Sequence, residues 1–172
     1  SLRERYPKAV HIAGGPHSTI FQEQCAKIYD SLILGDGEFS VIQAVKDAMN
    51  SKLQKIYEQK IQVDINLFPH PRRHYLPKAT VSRKGLMTLK NKKGYDQLMS
   101  ATVMFSRGCA YSCAFCAMPS IRKYAPGMRF RAPQYVEEEI LYLKNDYGLE
   151  GISLLDEIAF PLGPGEAIPY LE

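Results

Sequence analysis

Cys109, Cys113 and Cys116 bring three thiols into eight consecutive positions, while the rest of the 172-residue chain holds one more cysteine, Cys25. Thiols crowded in this way in a reducing compartment bind metal or do redox chemistry more often than they build a disulfide framework. Their spacing, C-x3-C-x2-C, admits four readings. On a helix, positions i, i+4 and i+7 share a face and would be buried apolar thiols, but Gly108 and Pro119 oppose a long helix there. A structural zinc wants four ligands in a tetrahedron, the fourth recruited from His70, His74 or Cys25. A redox Cys-x-x-Cys made of Cys113 and Cys116 leaves Cys109 without a role. An iron–sulfur cluster suits soft thiolates. Most such clusters take four cysteines, so three ligands on a four-iron cube would leave one iron open to something else.

The elements that must position this loop alternate between strand and helix. "ATVMF" (Ala101 to Phe105) is a buried-type strand running into the cysteines. Downstream, "RAPQYVEEEILYLKNDYGLEG" carries Val136, Ile140, Leu141, Leu143 and Tyr147 at near-helical spacing, with Gly148 as its stop. "GISLLDEIAF" then reads as a strand ending in the acids Asp156 and Glu157. Strand, cysteine loop, helix and strand form the opening of a parallel α/β barrel or half-barrel.

The first fifty residues read as two further strand-then-helix units. "KAVHIAGG" and "YDSLILGDGE" are apolar runs closed by glycines. Between them "STIFQEQCAKI" has helical spacing, with Ile20, Cys25 and Ile28 facing inward and Ser18 or Thr19 as the cap. "FSVIQAVKDAMN" continues as an amphipathic helix. Parallel pairing follows, and in such sheets ligands sit beyond the carboxyl ends of the strands, where Gly14, Gly15, Gly35 and Gly37 fall. Three prolines between Pro69 and Pro77 make Gln54 to Gly94 an expected extended linker, with "GLMTLKNKK" as a small local strand. The organisation expected is thus an α/β domain over 1–50, a Pro-rich basic linker over 51–97, the start of a barrel over 98–160 and an irregular tail over 161–172.

Hydrophobic residues make up 45% and charged residues 23%, which excludes a disordered or fibrous chain. No stretch approaches the ~20 apolar residues of a membrane helix, and the start "SLRERYPK" is charged where a secretory signal is apolar. A cytoplasmic protein is expected. The net charge of +4 is concentrated between Lys78 and Lys93, but the basic residues there lack interleaved aromatics for base stacking, which disfavours a nucleic-acid-binding module.

"SRGCAYSCAFCAMP" resembles the cluster loop of radical S-adenosylmethionine (radical SAM) enzymes, whose motif is C-x3-C-x-aromatic-C, with Phe115 in the aromatic position. "MRFRAPQYVEEEI" resembles the arginine-bearing segment and helix after that loop, and "YGLEGISLLDEIAF" resembles the second barrel strand with its paired acids. "IAGGPHST" and "DSLILGDGE" are similar to the last two strand-loop units of the cobalamin-binding domain found in one branch of the superfamily. The fold implied is the C-terminal part of a doubly wound, Rossmann-like cobalamin-binding domain followed by the start of a partial TIM-like radical SAM barrel. The chain then reads as a piece of a longer protein, truncated at both ends.

The resemblance implies that Cys109, Cys113 and Cys116 ligate a [4Fe-4S] cluster, that Phe115 lines the adenine side of SAM, and that Asp156 or Glu157 holds its amino or ribose groups. Arg129 and Arg131 are placed either at the SAM carboxylate or on the helix surface. Cobalamin would lie across Gly14, Gly15, Pro16 and His17 and across Gly35, Asp36, Gly37 and Glu38. The lower-ligand motif Asp-x-His-x-x-Gly of that domain is absent, so His17 is read as a turn or pocket residue rather than a cobalt ligand. The implied activity is reductive cleavage of SAM, coupled to methyl transfer or to a radical rearrangement of an unidentified small molecule, with an electron donor such as flavodoxin or ferredoxin. The rival readings are a structural zinc or iron–sulfur electron-transfer module, and a basic nucleic-acid-binding module.

Overall fold

The computed structural model describes residues 2–59, 62–84, 97–161 and 163–170. The first elements in chain order are α1 (Leu2–Arg5), β1 (Ile12–Gly14), α2 (Pro16–Ile20), α3 (Gln22–Ala26), β2 (Ser31–Leu34), α4 (Glu38–Met49) and β3 (Ile56–Glu58). After them come α5 (Lys78–Val81), β4 (Ser100–Val103), β5 (Ser106–Arg107), α6 (Met118–Arg122), β6 (Arg129–Phe130), α7 (Pro133–Tyr147), β7 (Gly151–Leu154) and α8 (Pro164–Ala167). The chain divides into two compact units, Ser1–Val63 with Ala110–Gly127, and Asp64–Cys109 with Met128–Glu172.

The first unit is built on a three-stranded parallel sheet of order β1-β2-β3. All four residues of β2 are buried, as the central strand of a parallel sheet covered on both faces requires. Because side chains alternate across a strand, Leu32 and Leu34 pack with Cys25, Ala13 and Tyr124. Ile33 packs on the other side with Ala44 of α4, Tyr57 of β3, Ile12 and Leu53. The third strand, β3, was not expected. It is three residues long with one buried side chain, Tyr57, whose hydroxyl donates to Asp47 Oδ2 at 2.8 Å and accepts from the Gln54 amide at 2.9 Å.

Two expectations for this unit change. "STIFQEQCAKI" forms two short helices that meet at Phe21 (φ −105°, ψ 50°). Ser18 and Thr19 do not cap the start. Both lie inside α2, and their hydroxyls donate backwards to the Gly14 and Gly15 carbonyls, at 3.4 and 2.9 Å, a back-bonding pattern that competes with regular helix. Pro16 begins α2, with its fixed φ in the first turn. Cys25 is buried as expected, but Ile28 is 61% exposed because α3 has already ended.

The second unit holds a parallel pair, β4 with β7, in the register Ser100↔Gly151 to Val103↔Leu154, and a short antiparallel pair, Ser106↔Phe130 and Arg107↔Arg129. Among the described residues the parallel sheet of this unit is two strands wide. Its core gathers Val81, Ala101, Val103, Phe105, Val136, Leu143 and Leu149. Helix α7 presents Val136, Ile140, Leu143 and Tyr147 to that core, whereas Leu141 is 46% exposed. The helix stops at Gly148, which takes the left-handed conformation (φ 66°), while Leu149 donates to the Leu143 carbonyl at 3.3 Å.

The proline-bearing stretch is strapped down within this unit. The Asn66 side chain accepts from the Ala132 amide at 2.7 Å and donates to the Phe130 carbonyl at 3.3 Å, clasping the entry to α7. Tyr135 donates to the Phe68 carbonyl at 2.7 Å. Arg73 donates to Glu139 Oε1 at 2.6 Å and to the Thr102 carbonyl at 3.0 Å. The local strand expected at "GLMTLKNKK", and most of the basic stretch Lys78 to Lys93, lie outside the described residues. Within the expected irregular tail, α8 is followed by a 3-10 turn, Ile168–Tyr170, and the Tyr170 hydroxyl donates to the Arg131 carbonyl at 2.6 Å. Among the described residues no helix is long and apolar enough to cross a membrane.

Removing one partner of a buried ion pair strands the other. The side chains of Arg73 and Glu139 are only 13% and 5% exposed. Glu139→Ala is therefore expected to cost about 3–5 kcal/mol, read as a lowered urea midpoint, with Glu138→Ala at the exposed neighbouring position near neutral.

Candidate functional site

The cysteine segment grows out of a strand. β5 leads into Gly108, whose φ of 95° turns the chain where a side chain would be strained. Cys109 follows, half-buried, while Cys113 and Cys116 are exposed, and none of the four cysteines is disulfide-bonded. The Cys116 amide donates to the Cys113 carbonyl at 3.0 Å, making a turn between the two thiols. The Met118 amide at the start of α6 reaches Cys116 Sγ at 3.5 Å. Arg122, in the last turn of α6, donates back to the Tyr111 carbonyl and to Ser112 Oγ, closing the segment on itself. Phe115 stands 94% exposed between the last two cysteines.

The boundary between the two units falls between Cys109 and Ala110. Among the described residues no three His, Cys, Asp or Glu side chains are gathered closely enough to hold a metal ion. The donors weighed for a fourth zinc ligand are engaged elsewhere. Cys25 is 3% exposed among Leu32 and Leu34. His70 faces Glu138 at 3.4 Å and stacks on Tyr135 with ring centroids 3.8 Å apart. His74 stacks on Tyr75 at 4.3 Å.

The paired acids after β7 differ from each other. Asp156 is half-buried and its Oδ1 accepts the Ser106 amide, while the Ser106 hydroxyl donates to the Ile158 carbonyl at 2.6 Å. Glu157 is exposed. Of the two arginines, Arg129 is buried within the short antiparallel pair. Arg131 lies on the helix surface, 4.3 Å above the Tyr135 ring, and donates to the Ile65 carbonyl at 3.3 Å. Burial raises the Tyr135 phenol above its ordinary pKa, and the Arg131 charge offsets part of that rise.

In the first unit the glycine loops do lie at the carboxyl ends of β1 and β2. Gly15 (φ 88°) has open space where a side chain would project. His17 is exposed and its ring meets Phe21 at 5.0 Å. Gly35 (φ 71°) is different, since a Cβ there would come within 2.4 Å of the Tyr124 carbonyl oxygen. Its amide donates to Thr19 Oγ1 at 3.2 Å, and Gln22 Nε2 donates to the Tyr124 hydroxyl at 2.7 Å. Asp36 is buried, and Glu38 opens α4 behind Gly37. The close backbone approach that sequence reasoning reserved for a ligand at Gly35 is thus filled by the chain itself.

Sequence reasoning missed Thr19, Ser106 and Tyr124. It also missed a cavity of about 690 Å³ near the amino ends of β1, β2 and β3, lined among others by Arg3, His11, Lys27, Asp30 and Lys55. There the His11 amide and the Arg3 guanidinium hold the Asp30 carboxyl below its usual pKa, with Arg3 at 3.0 Å.

The chain is 28% identical over 165 residues to an anaerobic magnesium-protoporphyrin IX monomethyl ester cyclase of Synechocystis sp., an alignment that covers 91% of this chain and 32% of the cyclase. It is 29% identical over 167 residues to an uncharacterized methyltransferase of Pyrococcus horikoshii, covering 91% of this chain and 35% of that protein. The chain therefore spans about a third of the length of these curated relatives. No protein-family model and no solved structure matches it.

Gly15 and Gly35, the positive-φ glycines of the loops after β1 and β2, make a comparison. Gly15 combines φ 88° with ψ −173°, a region essentially confined to glycine, so Gly15→Ala is expected to lose about 1–3 kcal/mol. Gly35→Ala adds the clash with the Tyr124 backbone, so its thermal midpoint should fall well below that of Gly15→Ala. Equal midpoints would mean that Tyr124 does not pack on Gly35.

Proposed function

We propose that this chain carries the cluster loop of a radical SAM enzyme, with Cys109, Cys113 and Cys116 as the ligands of a [4Fe-4S] cluster. The observation that carries the reading is the C-x3-C-x2-C loop itself, three cysteines outside any disulfide, with an amide directed at the last sulfur. Soft thiols of this kind fit an iron–sulfur core. When bound, the cluster and SAM supply reductive cleavage of a sulfonium carbon–sulfur bond, giving methionine and a 5′-deoxyadenosyl radical.

The protein's part is to ligate, orient and exclude water. Cys109, Cys113 and Cys116 would hold the cluster, and the cluster would take the amino and carboxylate groups of SAM. Phe115, exposed beside Cys116, offers a ring for the adenine. The acids after β7 offer acceptors for an ammonium or for ribose hydroxyls. Both relatives are enzymes by name, one a cyclase and the other a methyltransferase, and these are the two reaction classes that the resemblance implies. The glycine loops after β1 and β2 offer the strand ends across which cobalamin would lie.

Anaerobic reconstitution with iron and sulfide tests this. A four-iron absorption and electron-paramagnetic-resonance signature is expected, lost in each of Cys109→Ala, Cys113→Ala and Cys116→Ala and kept in Cys25→Ala. Stoichiometric zinc with no four-iron signature would instead establish a structural zinc module.

A further inference from the structure

Helix α6 ties together the backbone around two of the clustered cysteines. At its start the Met118 amide reaches Cys116 Sγ at 3.5 Å, and in its last turn Arg122 holds the Tyr111 carbonyl and Ser112 Oγ. The helix is five residues long, too short to keep its shape in water without tertiary contacts. Those contacts come two residues beyond its end, at Tyr124. The Tyr124 amide donates back to the Ile121 carbonyl at 2.9 Å, so this residue continues the turn of the helix. Its side chain packs against Cys25, Leu32 and Leu34. Its hydroxyl accepts from Gln22 Nε2 at 2.7 Å, and the same Gln22 nitrogen donates to the Thr19 carbonyl at 3.0 Å. Its carbonyl occupies the space that a side chain at Gly35 would take. The Thr19 hydroxyl closes the circuit, accepting from the Gly35 amide at 3.2 Å and donating to the Gly15 carbonyl at 2.9 Å. Tyr124 is thus held at its ring, its hydroxyl and its carbonyl, and every residue of this network belongs to one compact unit.

Resting on the radical SAM reading above, we propose that Tyr124 is a positioning residue for the cluster ligands Cys113 and Cys116. It acts through α6: fixing the carboxyl end of this helix on the sheet fixes the Met118 amide beside Cys116 and the Arg122 clasp ahead of Cys113. Gln22 and Gly35 share the task, Gln22 by holding the hydroxyl and Gly35 by leaving room for the carbonyl.

The test compares the wild-type chain with Tyr124→Ala, Tyr124→Phe, Gln22→Ala and the double variant Tyr124→Phe with Gln22→Ala. Tyr57→Phe serves as the stability control, since it loses the hydroxyl bonds to Asp47 and Gln54 and touches nothing in α6. Hydrogen exchange is read on the metal-free chain at the Cys116 and Ile121 amides, which bond to the Cys113 and Ala117 carbonyls at 3.0 and 3.3 Å. Iron and sulfide per chain are then read after anaerobic reconstitution. Tyr124→Ala is expected to lose at least about tenfold of the protection at both amides and to hold less iron. Tyr124→Phe and Gln22→Ala should each lose severalfold, and the double variant no more than either, because both remove one hydrogen bond. Tyr57→Phe should keep wild-type protection and iron. Equal losses in Tyr57→Phe, or lost protection with wild-type iron in the Tyr124 variants, would reduce Tyr124 to a stability contact and overturn the positioning role. If Tyr124→Ala does not fold, wild-type protection in both Tyr124→Phe and Gln22→Ala overturns it as well. If the wild-type chain builds no four-iron cluster, the radical SAM reading fails, while the exchange comparison still decides whether Tyr124 orders the cysteine segment.

Discussion

A parallel strand has to be covered on both faces, and in this chain that constraint falls on β2. Its four residues are all buried, and each face needs its own cover. One is supplied by α2 and α3, through Cys25, and by Tyr124, and the other by α4, through Ala44. Covering both sides forces the connections on either side of β2 to turn sharply at its ends. Gly14 ends β1, and Gly15, Gly35 and Gly37 follow the ends of β1 and β2. The same cover explains why Cys25, although a thiol, behaves as a small apolar side chain.

The cysteine loop obeys a different logic. Cys113 and Cys116 are exposed while Cys109 is half-buried, and order comes from polar contacts to the backbone. The Ser106 amide is taken by a carboxylate before the first cysteine, and the Tyr111 carbonyl by a guanidinium from beyond the last. Charge-assisted bonds to main chain hold a segment without covering it. This is how Cys113 and Cys116 stay exposed in a folded chain.

Elements with strong periodicity were legible from residues alone. Helices α4 and α7, the glycine stop at Gly148 and the parallel strands β1, β2, β4 and β7 all lie where the apolar spacing puts them. What escaped was set by long-range pairing. β3 has one buried side chain, too few for a pattern, and exists because β2 needs a neighbour on its second edge. The proline-bearing stretch reads as linker because proline breaks regular ladders, yet Asn66 and Arg73 tie it to α7 through partners 66 residues away. Of the site, the three cysteines and the paired acids were visible as types. The difference between Asp156 and Glu157 was not, since it depends on which of them reaches an amide 50 positions earlier.

Each compact unit is assembled from two separate stretches, and the joints fall after Val63, Cys109 and Gly127. The segment from Ala110 to Gly127 carries two of the three clustered cysteines and also the tyrosine that covers Gly35. The two units are therefore interleaved along the chain and do not follow one another like beads. A cut at Val63 would yield a sheet lacking part of its own cover, and no single cut releases either unit whole. Heredity faces the same constraint. A single crossover that carried the whole glycine-loop unit would carry Asp64–Cys109 of the other unit with it.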